Sequence, residues 1–415
     1  MVRQPPSALS SLPRLVLLFG LLAAAGCVTT PEPVEKLAPL VFPGPPDPAR
    51  FVFERTIRGT VDVQPRDEES SFGLEEMVTG ASGPIGEGFG KPFGIKVFQG
   101  RIYVGDTVNR HVMMLDPAHG SFKEVGAEAP GDLVKPLGMD MDGQGNLYVM
   151  DATKKWILVY DRDGNYLRGI GGPSFFDRPS GVAVNPEGSL VFAVDTGSSQ
   201  GKPEFHRIRV FDAKNGKLLY DIGKRGNGDG EFNLARDATI GSDGLLYVVD
   251  GGNFRVQVFD QKGKFIRKFG EVGRRLGQFA RPKGIDTDKE GNLYISDASH
   301  ANFQIFTPDG DLLMFIGTRG KETDRASYLL PGMIAVDEDG RVYLVDQGYR
   351  KVDVFRPAAL KESEGALGRA FEALKMLKQS DDEENGGVPE ESPPKKADSK
   401  KKEGAKDKEK KGGKK

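Results

Sequence analysis

RPKGIDTDKEGNLYISDASHANFQIFTPDGDLLMFIG (Arg281 to Gly317) and KPLGMDMDGQGNLYVMDATKKWILVYDRDGNYLRGIG (Lys135 to Gly171) follow one pattern in different residues. Six copies of it lie between Pro92 and Phe355. A recurring Asp marks the register at Asp106, Asp151, Asp195, Asp250, Asp297 and Asp346, with intervals of 45, 44, 55, 47 and 49 residues. Periods of this size, each with four short apolar runs, predict small antiparallel sheets that cannot bury both faces alone and so stack around an axis. The fold class is therefore all-β, a six-bladed β-propeller with four-stranded blades.

One copy shows the strands directly. In the fourth, DATI (Asp237 to Ile240) is the inner strand, SDG a tight turn and LLYVVD (Leu245 to Asp250) the second strand. GGNF then leads to VQVFD (Val256 to Asp260), and QKG leads to the outer strand KFIRKFG. Apolar alternation over five or six residues, bounded by Gly, Asp and Asn, is the pattern of half-buried strands. The sixth copy stops after its third strand, KVDVF (Lys351 to Phe355), while ARFVFERTIRG (Ala49 to Gly59) stands upstream of the first with an outer-strand pattern. Pairing the two predicts a ring closed by an N-terminal strand, which also removes two exposed sheet edges.

The flanks read differently. Arg3 and Arg14 precede the apolar run LVLLFGLLAAAG (Leu15 to Gly26), of signal-peptide length and too short to span a bilayer as a mature helix. Cys27, the only cysteine in 415 residues, follows it directly. The segment resembles the bacterial lipoprotein signal, in which small residues precede an acylated cysteine; Ala24 stands where Leu is commoner. That resemblance implies residues 1–26 as signal peptide and a palmitate-type lipid anchor on Cys27. Val28 rather than Asp follows, so the expected location is the bacterial cell envelope, at the outer membrane facing periplasm or exterior. Residues 27–50 are a Pro-rich linker, 51–357 the propeller, 358–379 a helix with apolar residues on one face, and 380–415 a disordered charged tail. From Lys395 to Lys415 the tail has 11 lysines against four acids. With one cysteine no disulfide forms within the mature chain. A formal net charge of −2 gives no case for nucleic acid as a partner of the body.

The motif P-x-G-(I/V)-x-V-D, followed by GNLYVxD and RxQVFD, resembles the NHL repeat. Its carriers are Pro92-Phe93-Gly94, Pro136-Leu137-Gly138, Pro179-Ser180-Gly181 and Pro282-Lys283-Gly284, together with the Asp series. The resemblance covers Phe51 to Phe355 and implies a six-bladed propeller. It does not imply one function, because the family's members include enzymes, sensor domains and RNA-binding modules. Amidating lyases of this kind hold zinc with His in the variable slot of P-x-G. Here that slot reads Phe93, Leu137, Ser180, Arg236, Lys283 and Gly332, without a His. His111, His206 and His300 fall in loops of alternate blades, too far apart to share one ion. Lactonase-type calcium would need axial acids, and only Asp237 departs from the Gly of the pattern in that direction. The expectation is therefore no metal, no cofactor and no catalytic set.

The fourth repeat is the deviant copy. Its P-x-G becomes Ala235-Arg236-Asp237, its incoming linker KRGNGDGEFNL (Lys224 to Leu234) is enlarged, and the preceding blade carries GSSQGKPEFH (Gly197 to His206). Arg236 and Lys283 belong on adjacent inner strands at one mouth of the channel, where Arg236, Asp237, Lys283 and Ser180 could receive an anionic group. Alternatively, Arg236 pairs with Asp237 or Glu231 and only closes the ring. On the loops of the same face, Trp156, Arg207, Phe254, Tyr349 and Arg350 are the residue types that binding surfaces favour. The expected function is a lipid-anchored, non-catalytic binding or scaffold module. Its partners would be the membrane, through the anchor, and an envelope protein or anionic polymer. The alternative is a propeller enzyme, a lyase or lactone hydrolase, acting on a small anionic or carbonyl substrate.

Overall fold

The computed structural model describes residues 38–64, 86–198 and 202–385; the signal segment, Cys27 and the tail beyond Asn385 lie outside them. The body forms six blades. Five have four strands in simple up-and-down order and the sixth has five. The inner strands are Pro92–Phe98, Pro136–Met141, Pro179–Val184, Ala235–Ile240, Pro282–Thr287 and Pro331–Val336. They neighbour one another in sequence order, and the last returns to the first. Close approach explains the recurring Gly: a Cβ at Gly138 would lie 2.5 Å from Gly181 Cα on the next blade. Between blades, apolar side chains interleave; Ile208 and Val210 of blade three, for example, share a buried core with Leu246, Val248 and Phe259 of blade four.

The register-marking aspartates are fully buried. Each ends a second strand, and its carboxylate accepts N–H groups from the linker that enters the same blade. Asp106 takes Gly90 at 2.6 Å and Lys91 at 3.0 Å; Asp297 takes Ala280 at 2.8 Å and Arg281 at 2.9 Å. Asp151 and Asp346 bind Val134 with Lys135, and Leu329 with Leu330, in the same way. The other carboxylate oxygen commonly caps the following turn, as Asp297 does for Ser299 and His300. A hydrogen bond to a charged group contributes about 1.5–3 kcal/mol, so the clamp fixes both linker and turn.

The ring closes as the sequence implies. Phe51–Ile57 runs antiparallel to Lys351–Pro357, with Phe53 opposite Phe355 and Ile57 opposite Val352. A shorter strand, Val41–Phe42, pairs outside it. Leu40 and Phe42 pack on the core of blades five and six, so part of the segment read as linker belongs to the ring. A wholly buried ion pair, Glu54 Oε2 to Arg341 Nε at 2.8 Å, joins the N-terminal strand to blade six. The same guanidinium donates to the carbonyls of Glu362 and Glu364 at 3.1 and 2.9 Å. Those bonds hold the chain in turns after Pro357, and Gly365, in the left-handed region at φ 76°, lets the helix begin there. Helix α1 is accordingly Gly365–Asn385, later than the spacing of its leucines suggests. Leu367, Phe371 and Leu374 pack on blades six and one, and Phe371 lies 3.7 Å beneath the Arg55 guanidinium.

Removing one member of a buried ion pair strands the other, at a typical cost of about 3–5 kcal/mol. Glu54→Ala is therefore expected to lower unfolding free energy by about that amount, read as an earlier urea midpoint at unchanged m-value. An unchanged midpoint would contradict the role of this pair in closure.

Candidate functional site

The ladder between inner and second strands shifts register just after the first residue of each inner strand, between Pro282 and Ile285 and between Ala235 and Ala238, for example. Such bulges re-aim a side chain out of the ladder. Six slot residues thus surround one end of the axis. Ser180 donates from Oγ to the Arg236 carbonyl at 2.8 Å and so tethers blade three to blade four.

Arg236 and Lys283 meet at this mouth as their column in the sequence implies, both half-buried. Pairing of Arg236 with Asp237 or Glu231 does not occur. Asp237 Oδ2 accepts the Ile285 N–H at 3.1 Å, and Glu231 binds the Gly228 N–H at 3.0 Å and Lys224 at 3.5 Å. Two more cations stand directly before inner strands, the exposed Arg178 and Arg281. Among the described residues no salt bridge or side-chain hydrogen bond engages the cationic groups of Arg178, Arg236, Arg281 or Lys283. Burial, reinforced by Arg178 and Arg281, pushes the Arg236 guanidinium below its ordinary range. Burial, then Arg281 and Arg236, lowers the Lys283 ammonium to about 8, against a weaker opposing pull from Asp297.

Below the mouth the channel is blocked. Lys96 Nζ of blade one lies 3.0 Å from Asp140 Oδ1 of blade two and 3.0 Å from Asp286 Oδ2 of blade five. Asp140 also accepts the Val184 N–H of blade three at 2.8 Å. Asp286 accepts the Val336 N–H of blade six at 2.9 Å and the Thr239 hydroxyl of blade four at 3.3 Å. One buried network therefore touches all six blades. Burial alone would lower the Lys96 ammonium, but Asp140 and Asp286 outweigh it and raise it. Burial holds the Asp140 carboxyl above the usual range, with Lys96 opposing. The Asp237 carboxyl is raised by burial to about 7, against the opposing pull of the Ile285 N–H, of Lys96 at longer range and of the Ala238 N–H. The motif marks Asp237 as an axial acid, whereas nothing in the repeat pattern marks Lys96, Asp140 or Asp286.

The loop residues do not converge. The Trp156 ring packs over Gly169 and Gly172 of its own blade. Arg207 is buried and bound to Asp221 at 3.0 Å and to the Phe175 carbonyl at 3.3 Å. Phe254 packs half-buried on the core between blades four and five. The Tyr349 hydroxyl donates to the Gly320 carbonyl at 2.5 Å, and Arg350 is exposed beside it. The histidines are also separate: His206 accepts the Leu234 N–H and faces the Ser198 carbonyl, and His300 faces the Gly273 carbonyl. His111 lines a groove of about 650 Å³ between blades one and two, with Glu87, Glu124, Arg110 and Asp132. Among the described residues no group of three or more acid, His or Cys side chains is arranged to hold a metal ion.

The family model for the NHL repeat matches residues 232–259, which run from the end of the linker into blade four to the end of its third strand. No curated protein matches the chain. Among solved structures, a protein of unknown function from Bacteroides thetaiotaomicron VPI-5482 is similar with a TM-score of 0.53 and 16% identity, over 67% of this chain and 72% of that one. A streptogramin B lyase gives 0.48 and 15%, over 64% and 93%. A gluconolactonase from Xanthomonas campestris gives 0.49 and 17%, over 64% and 86%. At these identities the likeness is one of fold.

Asp237 makes stability depend on pH. Its folded-state pKa, about 7, lies above the usual 3.8, so the folded ring holds the extra proton between those values. Its contribution to stability is then lost as pH rises through that window, by about 1.4 kcal/mol per pH unit at most. Asp237→Asn should match wild type near pH 4 and exceed it at pH 8 in thermal melts. Parallel curves at both pH values would show that the carboxyl does not titrate there.

Proposed function

We propose that this protein is a lipid-anchored binding module of the cell envelope whose cationic mouth receives an anionic group of an envelope protein or extracytoplasmic polymer. The observation that carries the reading is the convergence of Arg236, Lys283, Arg178 and Arg281 without a carboxylate partner among the described residues. Like charges gathered there, with Arg236 and Lys283 half-buried, repel and lose hydration, and no ion pair among the described residues offsets either loss. An oxyanion entering the mouth would recover both, through charge-assisted and bidentate hydrogen bonds. The blocked axis supports a site that receives a group from outside rather than a passage through the ring.

Anchoring rests on Cys27 and the apolar run before it. One acyl chain anchors a protein only marginally, whereas two or more hold it, at about 0.8 kcal/mol per buried methylene. A Pro-rich segment behind the cysteine would keep the ring clear of the lipid surface. The second reading, an enzyme acting on a small anionic or carbonyl compound, draws on one observation, the lowered Lys283 ammonium between two guanidinium groups.

Two experiments test the main reading. Tripolyphosphate binding, measured by calorimetry, should weaken by about tenfold or more in Arg236→Ala/Lys283→Ala, fall with added salt, and leave the melting temperature nearly unchanged. Unfolding of the double variant would make the two cations structural, and unaltered binding would move the site elsewhere. For the anchor, Cys27→Ala should shift the protein from the membrane fraction to the soluble or unprocessed form. Wild-type mature protein lacking fatty acid on Cys27 would end that part of the proposal.

A further inference from the structure

We propose that Lys283 is a nucleophilic amine that captures anionic aldehydes or ketones as imines at the channel mouth. The inference rests on the reading of the mouth as an anion site and names the ligand class. Of the cations gathered there, Arg236 and Arg281 cannot shed their charge under ordinary conditions, whereas an ammonium can. Lys283 is therefore the group that relieves the crowding, by giving up its proton. Its surroundings favour that outcome, because the stem is half-buried and no carboxylate binds the amine among the described residues. The lowered pKa, about 8, agrees with this placement. Lysine amines desolvated beside another cation are activated as carbonyl nucleophiles. Lysines elsewhere on the ring differ: Lys96 is held between two carboxylates, and Lys351 lies 2.7 Å from Asp353.

The same guanidinium groups that depress the amine can hold a carboxylate or phosphate of the incoming molecule. A compound bearing both an oxyanion and a carbonyl is thus directed with its carbonyl toward Lys283. The amine lone pair attacks the carbonyl carbon, and the C=O π pair moves to oxygen, which takes one proton from the nitrogen. The carbinolamine then loses its hydroxyl together with the nitrogen's remaining hydrogen as water, leaving C=N. One water is released for each imine formed, and no oxidant or reductant takes part.

The test uses pyridoxal 5′-phosphate as the probe, with borohydride to reduce any imine to a stable amine and peptide mass mapping to locate it. At pH 7 Lys283 should label about tenfold faster than exposed lysines, with a rate that rises to half-maximum near pH 8. Phosphate-free pyridoxal should label it more slowly. Arg236→Ala should slow labelling at pH 7 and move the midpoint upward; Arg281→Ala, at an exposed position, gives the same readout should the first variant fail to fold. Lys283→Arg should abolish the label. Labelling of Lys283 no faster than that of surface lysines, or equal labelling by phosphate-free pyridoxal, would overturn the proposal. Loss of tripolyphosphate binding in Arg236→Ala with no preferential labelling in wild type would overturn the imine chemistry and leave the anion site standing. Absence of tripolyphosphate binding to wild type would remove the anion site itself.

Discussion

The structure depends on one buried carboxylate per blade. Each sits where the second strand ends, at the place where the chain arrives from the blade before, and it replaces water for N–H groups that would otherwise be buried without acceptors. The linker is thereby pinned, the inner strand begins at a fixed height, and the slot residue after its first position faces the axis. Blade four modifies the device. Asp250 takes only the Asn233 N–H from the linker, and binds Arg255, Asn253 and Gln257 side chains instead. Burial raises its carboxyl, and the Arg255 contact at 2.9 Å opposes that shift. The enlarged linker is then held through Arg255, which donates to the Asn227, Gly228 and Glu231 carbonyls. Blade four therefore differs in sequence without losing its place in the ring.

What could be read from sequence alone follows from this periodicity. Positions used in the same way in copy after copy announce themselves, so the Asp series and the orphan strand before Gly59 are legible, whereas the recurring Gly reads as a turn former until the inner strands are seen to approach closely. Arg236 and Lys283 were legible because they occupy one column of the repeat. Arg178 and Arg281 lie two columns earlier and are not legible in this way, since a charged residue before Pro has no meaning until the linkers are seen to end at a common mouth. Lys96, Asp140 and Asp286 share a column with Ala183, Thr239 and Ala335. A column so mixed looks like drift, and only closure of the ring brings its members together. Glu54 and Arg341 are 287 residues apart and belong to no repeat position in common.

The loop candidates show the converse. Trp156, Arg207, Phe254 and Tyr349 have the residue types of a binding surface, yet local structure engages each of them. Arg207 neutralises Asp221, and Tyr349 donates to a linker carbonyl. Large polar side chains on a propeller face serve the long linkers first, because those linkers carry many backbone groups and little regular structure to satisfy them. At the mouth no such duty engages the half-buried cations among the described residues.

The axial network has a consequence for how this protein could have changed over time. Repeat proteins grow and shrink by duplicating or losing whole copies, and most contacts between neighbouring copies tolerate that. Lys96 does not reach only its neighbour: it joins blade one to blades two and five at once. A seventh copy would widen the axis and separate the ammonium from one of its carboxylates, and a fifth-copy deletion would remove Asp286 altogether. Either event would leave a charge buried and unmatched. Copy number is therefore written into three side chains at the centre, and the ring records its own count.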